Sequence, residues 1–309
     1  MRVVFFGSSC FSSRILTSIY KEGVEFPLVV TKRSKEKGRG RKNQLTPVGI
    51  ISNRFALPLI EIDNPNTVEV ENAIKKTGVD VLLLASYGAI LKNIILKTVK
   101  YPLNIHPSLL PKYRGVAPIK RAIMNNETKT GITVFIMNEK IDAGEIVHKE
   151  EIDIEQNEVA SELEQRLADI SVEIILPILK KIESGELLHL TKQDADKAIY
   201  ASKILKEEHK INWKEEAFKL SGKINGLSYS PGAFTFFRGK RLKILRARPM
   251  PENIKAKTHG EIIDIGNEII VSCVNGAIGV SEIQVQGKKV MDARSFINGY
   301  HIKVGEKLG

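Results

Sequence analysis

The sequence predicts an α/β protein, with a parallel-rich sheet domain first and a small all-β domain last. Three features predict it. Through the first half, short unbroken apolar runs alternate with amphipathic helical patterns, as expected for strands covered on both faces of a sheet. The last third instead holds short apolar runs at close spacing, bounded by glycine, which suits a small antiparallel barrel or sandwich. Between these regions, residues 186–204 are polar and only weakly periodic. The expected partition is therefore a domain at 1–185, a linker at 186–205 and a second domain at 206–309. A chain of 309 residues has enough apolar material for two cores.

Residues 3–6 are a run of four apolar side chains and read as the first strand. Gly7 follows, with Ser8 and Ser9 as candidate caps for an amphipathic helix that continues to Tyr20. Residues 28–30 read as a second strand and the basic, glycine-containing segment 31–43 as an exposed loop. Thr46-Pro47 places a capping side chain before a proline suited to the first helical position. Further strands are expected at 58–62, 79–85 and 103–106, and a long helix at 159–182. In a parallel sheet the site lies beyond the carboxyl ends of the strands, and His106 stands at one of them. In the last third, strands are expected at 232–237, 242–247, 261–265, 269–274 and 277–285. No internal repeat and no low-complexity tract occurs.

Several classes fall away on composition. The longest strongly apolar stretch, 79–85, is far shorter than the roughly 20 residues of a membrane-spanning helix. The first residues read as a strand and lack the pattern of an export signal. The two cysteines, Cys10 and Cys273, form no disulfide framework or thiolate zinc motif. A soluble, cytoplasmic protein is expected. A single glycine after the first strand does not make a dinucleotide fingerprint, and residues 38–42 lack the spacing of a Walker loop. The six histidines show no metal-ligand spacing.

Charge is unevenly placed. The chain carries +11 overall. Segment 31–43 holds Lys32, Arg33, Lys35, Lys37, Arg39, Arg41 and Lys42 against Glu36, a net +6. Segment 238–257 holds eight basic residues against Glu252, a net +7, so everything else is slightly acidic. Each run alone could be a solvated face. Two runs that absorb the whole excess point to a polyanion such as nucleic acid.

The chemistry concentrates at 104–119. Asn104 and His106 are two residues apart in a strand and so share a face. The proline-containing segment behind them makes a rigid loop. An amide donor beside an imidazole suits acyl transfer, with the amide binding an oxyanion and the imidazole handling an amine proton. Asp142, in a turn between two strands, is placed to orient the ring. On the residues alone, a capping Asn, a satisfied edge His and a turn Asp remain the other reading.

Taken together, Asn104-Ile105-His106, Ser108-Leu109-Leu110-Pro111 and Arg114-Gly115-Val116-Ala117-Pro118-Ile119 closely resemble the core motif of the methionyl-tRNA formyltransferase family. Ser86-Tyr87-Gly88, Asp142-Ala143-Gly144 and Ser230-Pro231-Gly232-Ala233 match it in order and spacing over nearly the whole chain. The Asn-His-Asp set is shared by folate-dependent formyltransferases generally, whereas the 114–119 pattern and the last domain are narrower. The resemblance implies a Rossmann-like first domain and an OB-like barrel at the end. It implies Asn104, His106 and Asp142 as catalytic, and Ser108, Leu109, Leu110 and Pro111 as folate-binding. It also implies Lys35, Lys37, Arg39, Arg41 and Lys42 as tRNA-binding, with Arg39 in the arginine place of the family's Gly-Arg-Gly. The implied reaction moves a formyl group from 10-formyltetrahydrofolate, a substrate, to initiator methionyl-tRNA. It needs no metal and no membrane, and no stable protein partner is implied. Two positions depart from the family: Gly7-Ser8-Ser9 stands where Gly-Thr-Pro is common, and Pro107 replaces a small residue. A folate-dependent sugar-nucleotide formyltransferase is the rival reading, though a small substrate has no use for a +6 loop.

Overall fold

The structure is a computed structural model and describes residues 1–37, 42–250 and 258–309. Two compact units divide it: 1–116, 130–152 and 164–201 form the first, and 117–129, 153–163 and 202–309 the second.

In the first unit the chain runs β1 (Arg2–Gly7), α1 (Cys10–Lys21), β2 (Glu25–Thr31), β3 (Lys35–Lys37), β4 (Lys42–Gln44), α2 (Pro47–Arg54), β5 (Leu59–Glu61), α3 (Val68–Thr77), β6 (Val81–Ala85), α4 (Asn93–Leu96), β7 (Tyr101–His106) and β8 (Arg114–Gly115). After α5 (Pro118–Met124), which belongs to the second unit, come β9 (Lys129–Ile136), β10 (Ile146–Asp153), α6 (Ala160–Glu183) and β11 (Tyr200–Ala201). The main sheet has the order β10-β9-β7-β6-β1-β2-β5. Strands β7, β6, β1, β2 and β5 pair in parallel, and β9 pairs antiparallel with β7. The sheet is thus parallel-rich, as expected, and extended at one edge by β9 and β10.

Burial explains the unbroken apolar runs. Val4, Phe6, Leu82 and Leu84 face one side and pack with Val70 and Ile74 of α3 and Ile95 of α4. Phe5, Val29 and Leu83 face the other side and are equally buried. Ser9 caps α1 by accepting from the Ser12 amide, and Thr46 caps α2, with Pro47 in its first turn. Two segments hold more structure than the sequence suggested. Segment 31–43 contains backbone pairing, since β3 and β4 form an antiparallel pair with Lys37 opposite Lys42. Within 186–205, Thr191 exchanges backbone hydrogen bonds with Ile146, and β11 pairs in parallel with β8.

The second unit adds α7 (Ala217–Leu227), β12 (Ala233–Phe237), β13 (Lys240–Pro249), β14 (Ile262–Ile265), β15 (Ile269–Cys273), β16 (Gly276–Val285), β17 (Met291–Asp292) and α8 (Ala293–Tyr300). Its antiparallel sheet runs β12-β13-β16-β15-β14, with β17 on β16. Among the described residues no pairing joins β12 to β14. The core combines Leu220 and Ile224 of α7 with Ile244, Val271, Ile278 and Ile283 of the sheet and Phe296 of α8. Trp213 is buried at its start and donates its indole N–H to Thr235 Oγ1 at 3.2 Å, anchoring that end of the unit. Neither α7 nor α8 was expected; α7 precedes the first strand of this sheet and α8 follows its last.

Much of the charge of segment 238–257 is spent internally. Arg238 pairs with Glu306 at 2.7 Å, Arg248 with Glu268 at 2.7 Å, and Arg246 with both Glu162 and Glu282. Lys240, Arg241 and Lys243 make no ion pair among the described residues, and residues 251–257 lie outside them. In the same unit, the Arg121 guanidinium grips the Glu208 carboxylate at 2.6 and 2.9 Å and holds it below the usual carboxylate range. A lowered folded-state value stabilises above the unfolded value of about 4.3 and fades as pH falls through the folded one. Glu208→Gln should therefore lower the melting temperature at pH 7, with the difference from wild type shrinking below about pH 4. Thermal scans across that range check it.

Candidate active site

The register of β7 sets the site. Asn104 lies opposite Leu84 of β6 and Phe135 of β9, and His106 opposite Thr133. The two side chains point to one side of the sheet, as the spacing required. They are 7% and 5% exposed, so they are held for contact with little room to move. The chain order reverses around β1, whose end abuts that of β6: Ser8 donates its amide to Ser86 O at 3.3 Å, and Ser12 Oγ donates to Ala85 O at 2.6 Å. His106 thus stands at the carboxyl end of a strand beside a topological switch point, where such sheets hold ligands.

The turn between β9 and β10 brings Asp142 to the same place. Its carboxylate accepts the Gly115 amide at 2.7 Å through Oδ2 and faces Asn104 Nδ2 at 3.5 Å through Oδ1. His106 Nδ1 lies 3.7 Å from Asp142 Oδ2, beyond hydrogen-bond reach, while Nε2 lies 2.9 Å from Tyr113 O. A carbonyl only accepts, so Nε2 carries hydrogen and the backbone at Tyr113 fixes the neutral tautomer. At 3.7 Å, Asp142 Oδ2 is too far away to share that role. Asp142 is placed to stabilise positive charge on the ring instead.

Asp142 and Tyr113 both adopt left-handed backbone, with φ of 46° and 63°. Side-chain residues reach that region at a cost, and surrounding contacts must hold them there. Gly115, at φ 117°, is needed because a Cβ there would meet Ala201 O at 2.9 Å. Gln193 joins the two strained pieces. Its amide donates to Asp142 O at 3.0 Å and Gly144 O at 2.8 Å, and its oxygen accepts from Arg114 at 2.7 and 3.2 Å. Nothing in the sequence pointed to Gln193, because it lies 51 residues beyond Asp142 in a stretch without periodicity.

The segment named for folate is a tightly braced loop. Ser108 Oγ donates to Lys112 O at 2.7 Å, Thr133 Oγ1 donates to Ser108 O at 2.6 Å, and the Leu110 amide donates to Thr133 Oγ1 at 3.1 Å. The Leu110 side chain is buried against Phe135 and Ile146 and braces the loop. Leu109 and Pro111 are only partly buried. For the tRNA set, Lys35, Lys37 and Lys42 lie on β3 and β4, whereas Arg39 and Arg41 fall outside the described residues. No helix among the described residues is long and apolar enough to cross a membrane. No group of three or more His, Cys, Asp or Glu there could hold a metal ion.

An amide, an imidazole and a carboxylate gathered at the carboxyl ends of a parallel sheet define an enzyme built for transfer at a carbonyl carbon. Residues 1–179 match the formyl transferase family and residues 203–301 its C-terminal domain. A methionyl-tRNA formyltransferase of Caldanaerobacter subterraneus subsp. tengcongensis is 36% identical over the whole of both chains. One of Thermotoga neapolitana is 38% identical over all of this chain and 98% of its own. The chain belongs to the methionyl-tRNA formyltransferase family. The fold also matches HypX of Aquifex aeolicus in complex with tetrahydrofolic acid, with a TM-score of 0.67 and 18% identity, covering 99% of this chain and 48% of that one.

Proposed function

We propose that this protein transfers the formyl group of 10-formyltetrahydrofolate to the α-amino group of methionine carried by initiator tRNA, in the cytoplasm. The convergence of Asn104, His106 and Asp142 supports the chemistry. Whole-length likeness to methionyl-tRNA formyltransferases supports the acceptor over an amino-sugar nucleotide.

The α-amino group ionises near pH 8, so a useful fraction is already neutral and needs no strong activation. Its lone pair attacks the formyl carbon, a carbon–nitrogen bond forms, and the carbonyl oxygen becomes an oxyanion. Asn104 donates to that oxygen. Nδ1, the ring nitrogen without hydrogen, takes the proton from the attacking amine, and the Asp142 carboxylate at 3.7 Å stabilises the resulting imidazolium. His106 then passes that proton to the folate nitrogen as its bond to the formyl carbon breaks, directly or through one water. The amide product and tetrahydrofolate leave, and His106 is neutral again. The backbone and partly exposed side chains of 108–111 are proposed to hold the folate. The second unit, whose antiparallel sheet would be OB-like, and the paired segment 35–44 are proposed to hold tRNA.

Incubation with the formyl-folate and either methionyl initiator tRNA or an amino-sugar nucleotide tests the reading. Formylation of the sugar alone would reject it. For the basic segment, binding of tRNA should weaken with salt, with a log–log slope of about −0.9 per phosphate contact. The Lys35→Ala/Lys37→Ala/Lys42→Ala variant should flatten that slope and raise KM for tRNA, leaving KM for formyl-folate within about twofold. An unchanged slope would move tRNA contact to Lys240, Arg241 and Lys243.

A further inference from the structure

We infer that Gln193 is a positioning residue for the transfer reaction, holding Asp142 in its left-handed conformation so that the carboxylate faces His106. This rests on the catalytic reading of Asn104, His106 and Asp142.

A primary amide has two N–H donors and one carbonyl acceptor. Both Gln193 donors go to the turn that carries Asp142, at its own carbonyl and at that of Gly144. The acceptor takes two N–H groups of Arg114, which is 5% exposed and immediately precedes Gly115. Gly115 is the residue whose amide holds Asp142 Oδ2. One side chain therefore ties the backbone of Asp142 to the strand that grips its carboxylate. The flanking backbone is fixed on both sides: Thr191 bridges to Ile146, the Arg114 amide donates to Ile199 O at 2.8 Å, and the Val116 amide to Ala201 O at 3.1 Å. Gln193 is thus delivered to the gap by a strap that is itself bonded to both pieces.

The chemistry of the contact distinguishes Gln from Glu. A carboxylate at 193 keeps the Arg114 contact but turns an oxygen on the carbonyls of Asp142 and Gly144, where only donors fit. Asp142 at φ 46° then loses the bond at its own carbonyl and can relax away from His106.

The test measures kcat, KM for each substrate and melting temperature for Gln193→Ala, Gln193→Glu, Asp142→Ala and the double variant Gln193→Ala/Asp142→Ala. Gln193→Ala should lower kcat about 10- to 100-fold, as small misplacements of a reacting group do, with both KM values within about twofold. Gln193→Glu should lose as much although it keeps the Arg114 pairing, and it carries the test should Gln193→Ala fold poorly. Because Gln193 acts through Asp142, removing it from the Asp142→Ala protein should cost less than about threefold further. Multiplicative losses in the double variant, or wild-type kcat in Gln193→Glu, would overturn the inference and leave the catalytic site standing. Undiminished kcat in Asp142→Ala would instead reject the site on which the inference rests.

Discussion

Replacing His106 by Ala is expected to lower kcat/KM for formyl transfer by at least about 10²-fold, nearly all of it in kcat. On the proposed mechanism, the ring is the group among the described residues that accepts the amine proton and returns it to the leaving nitrogen. Its loss leaves water, which is neither fixed nor stabilised by Asp142. Asp142→Ala should cost a similar amount by another route. It removes the charge facing the imidazolium and also strips Oδ2 from the Gly115 amide, freeing the loop that carries Tyr113 O and with it the tautomer. Asp142→Asn separates these, since an amide oxygen still accepts from Gly115 while the charge is gone. It should fall between wild type and Asp142→Ala. Asn104→Ala removes one oxyanion donor, for which about 10²-fold is typical. Single-turnover rates with tRNA affinity measured in parallel check all four. Equal losses of tRNA affinity and rate would show that these side chains bind substrate rather than the transition state.

The elements were legible where burial on both faces forces apolar runs, as in β1, β6 and β7, and where capping chemistry is local, as at Ser9 and Thr46. Asn104 and His106 were legible because a strand's period of two fixes their common face. Asp142 was reached through its place in a turn. The parts that escaped are those held by distant contacts. Gln193 and the β8–β11 pairing have no periodicity, and their partners lie on other segments. The two strands flanking Asp142 were anticipated, but not that β9 runs antiparallel to β7, because strand direction leaves no trace in the sequence pattern. The internal pairing within segment 238–257 was not legible either: composition counts Arg238, Arg246 and Arg248 as free charges, whereas Glu306, Glu162, Glu282 and Glu268 pair with them. Fixing tautomer through Tyr113 O also lay beyond reach, since a backbone carbonyl carries no sequence signature.

The second large effect is expected far more cheaply in atoms, from one methyl group. Gly144→Ala should reduce kcat by at least about 10²-fold and lower stability by about 3 kcal/mol. A Cβ at 144 would lie 1.7 Å from Ile136 O and 3.1 Å from Phe135 Cδ2. Neither neighbour can yield. Ile136 belongs to β9, pairs with Leu103 of β7, and donates its amide to Glu145 O at 2.9 Å, next to the new methyl. Phe135 is buried with Leu110 and Ile146. The turn must therefore lift away, which breaks the Gln193 contact at Gly144 O and carries Asp142 off His106. A loss of 3 kcal/mol is large against the roughly 5–15 kcal/mol that holds a typical domain, and should lower the melting temperature by about 6–12 °C. The control is Gly266→Ala in the second unit, exposed, with nothing within 4 Å of its added Cβ and no positive φ. That change should stay within about 0.5 kcal/mol. If Gly144→Ala also did, the close approach of the turn to β9 would not be what holds Asp142 in place, and the Gly115 amide and Gln193 would have to do so alone.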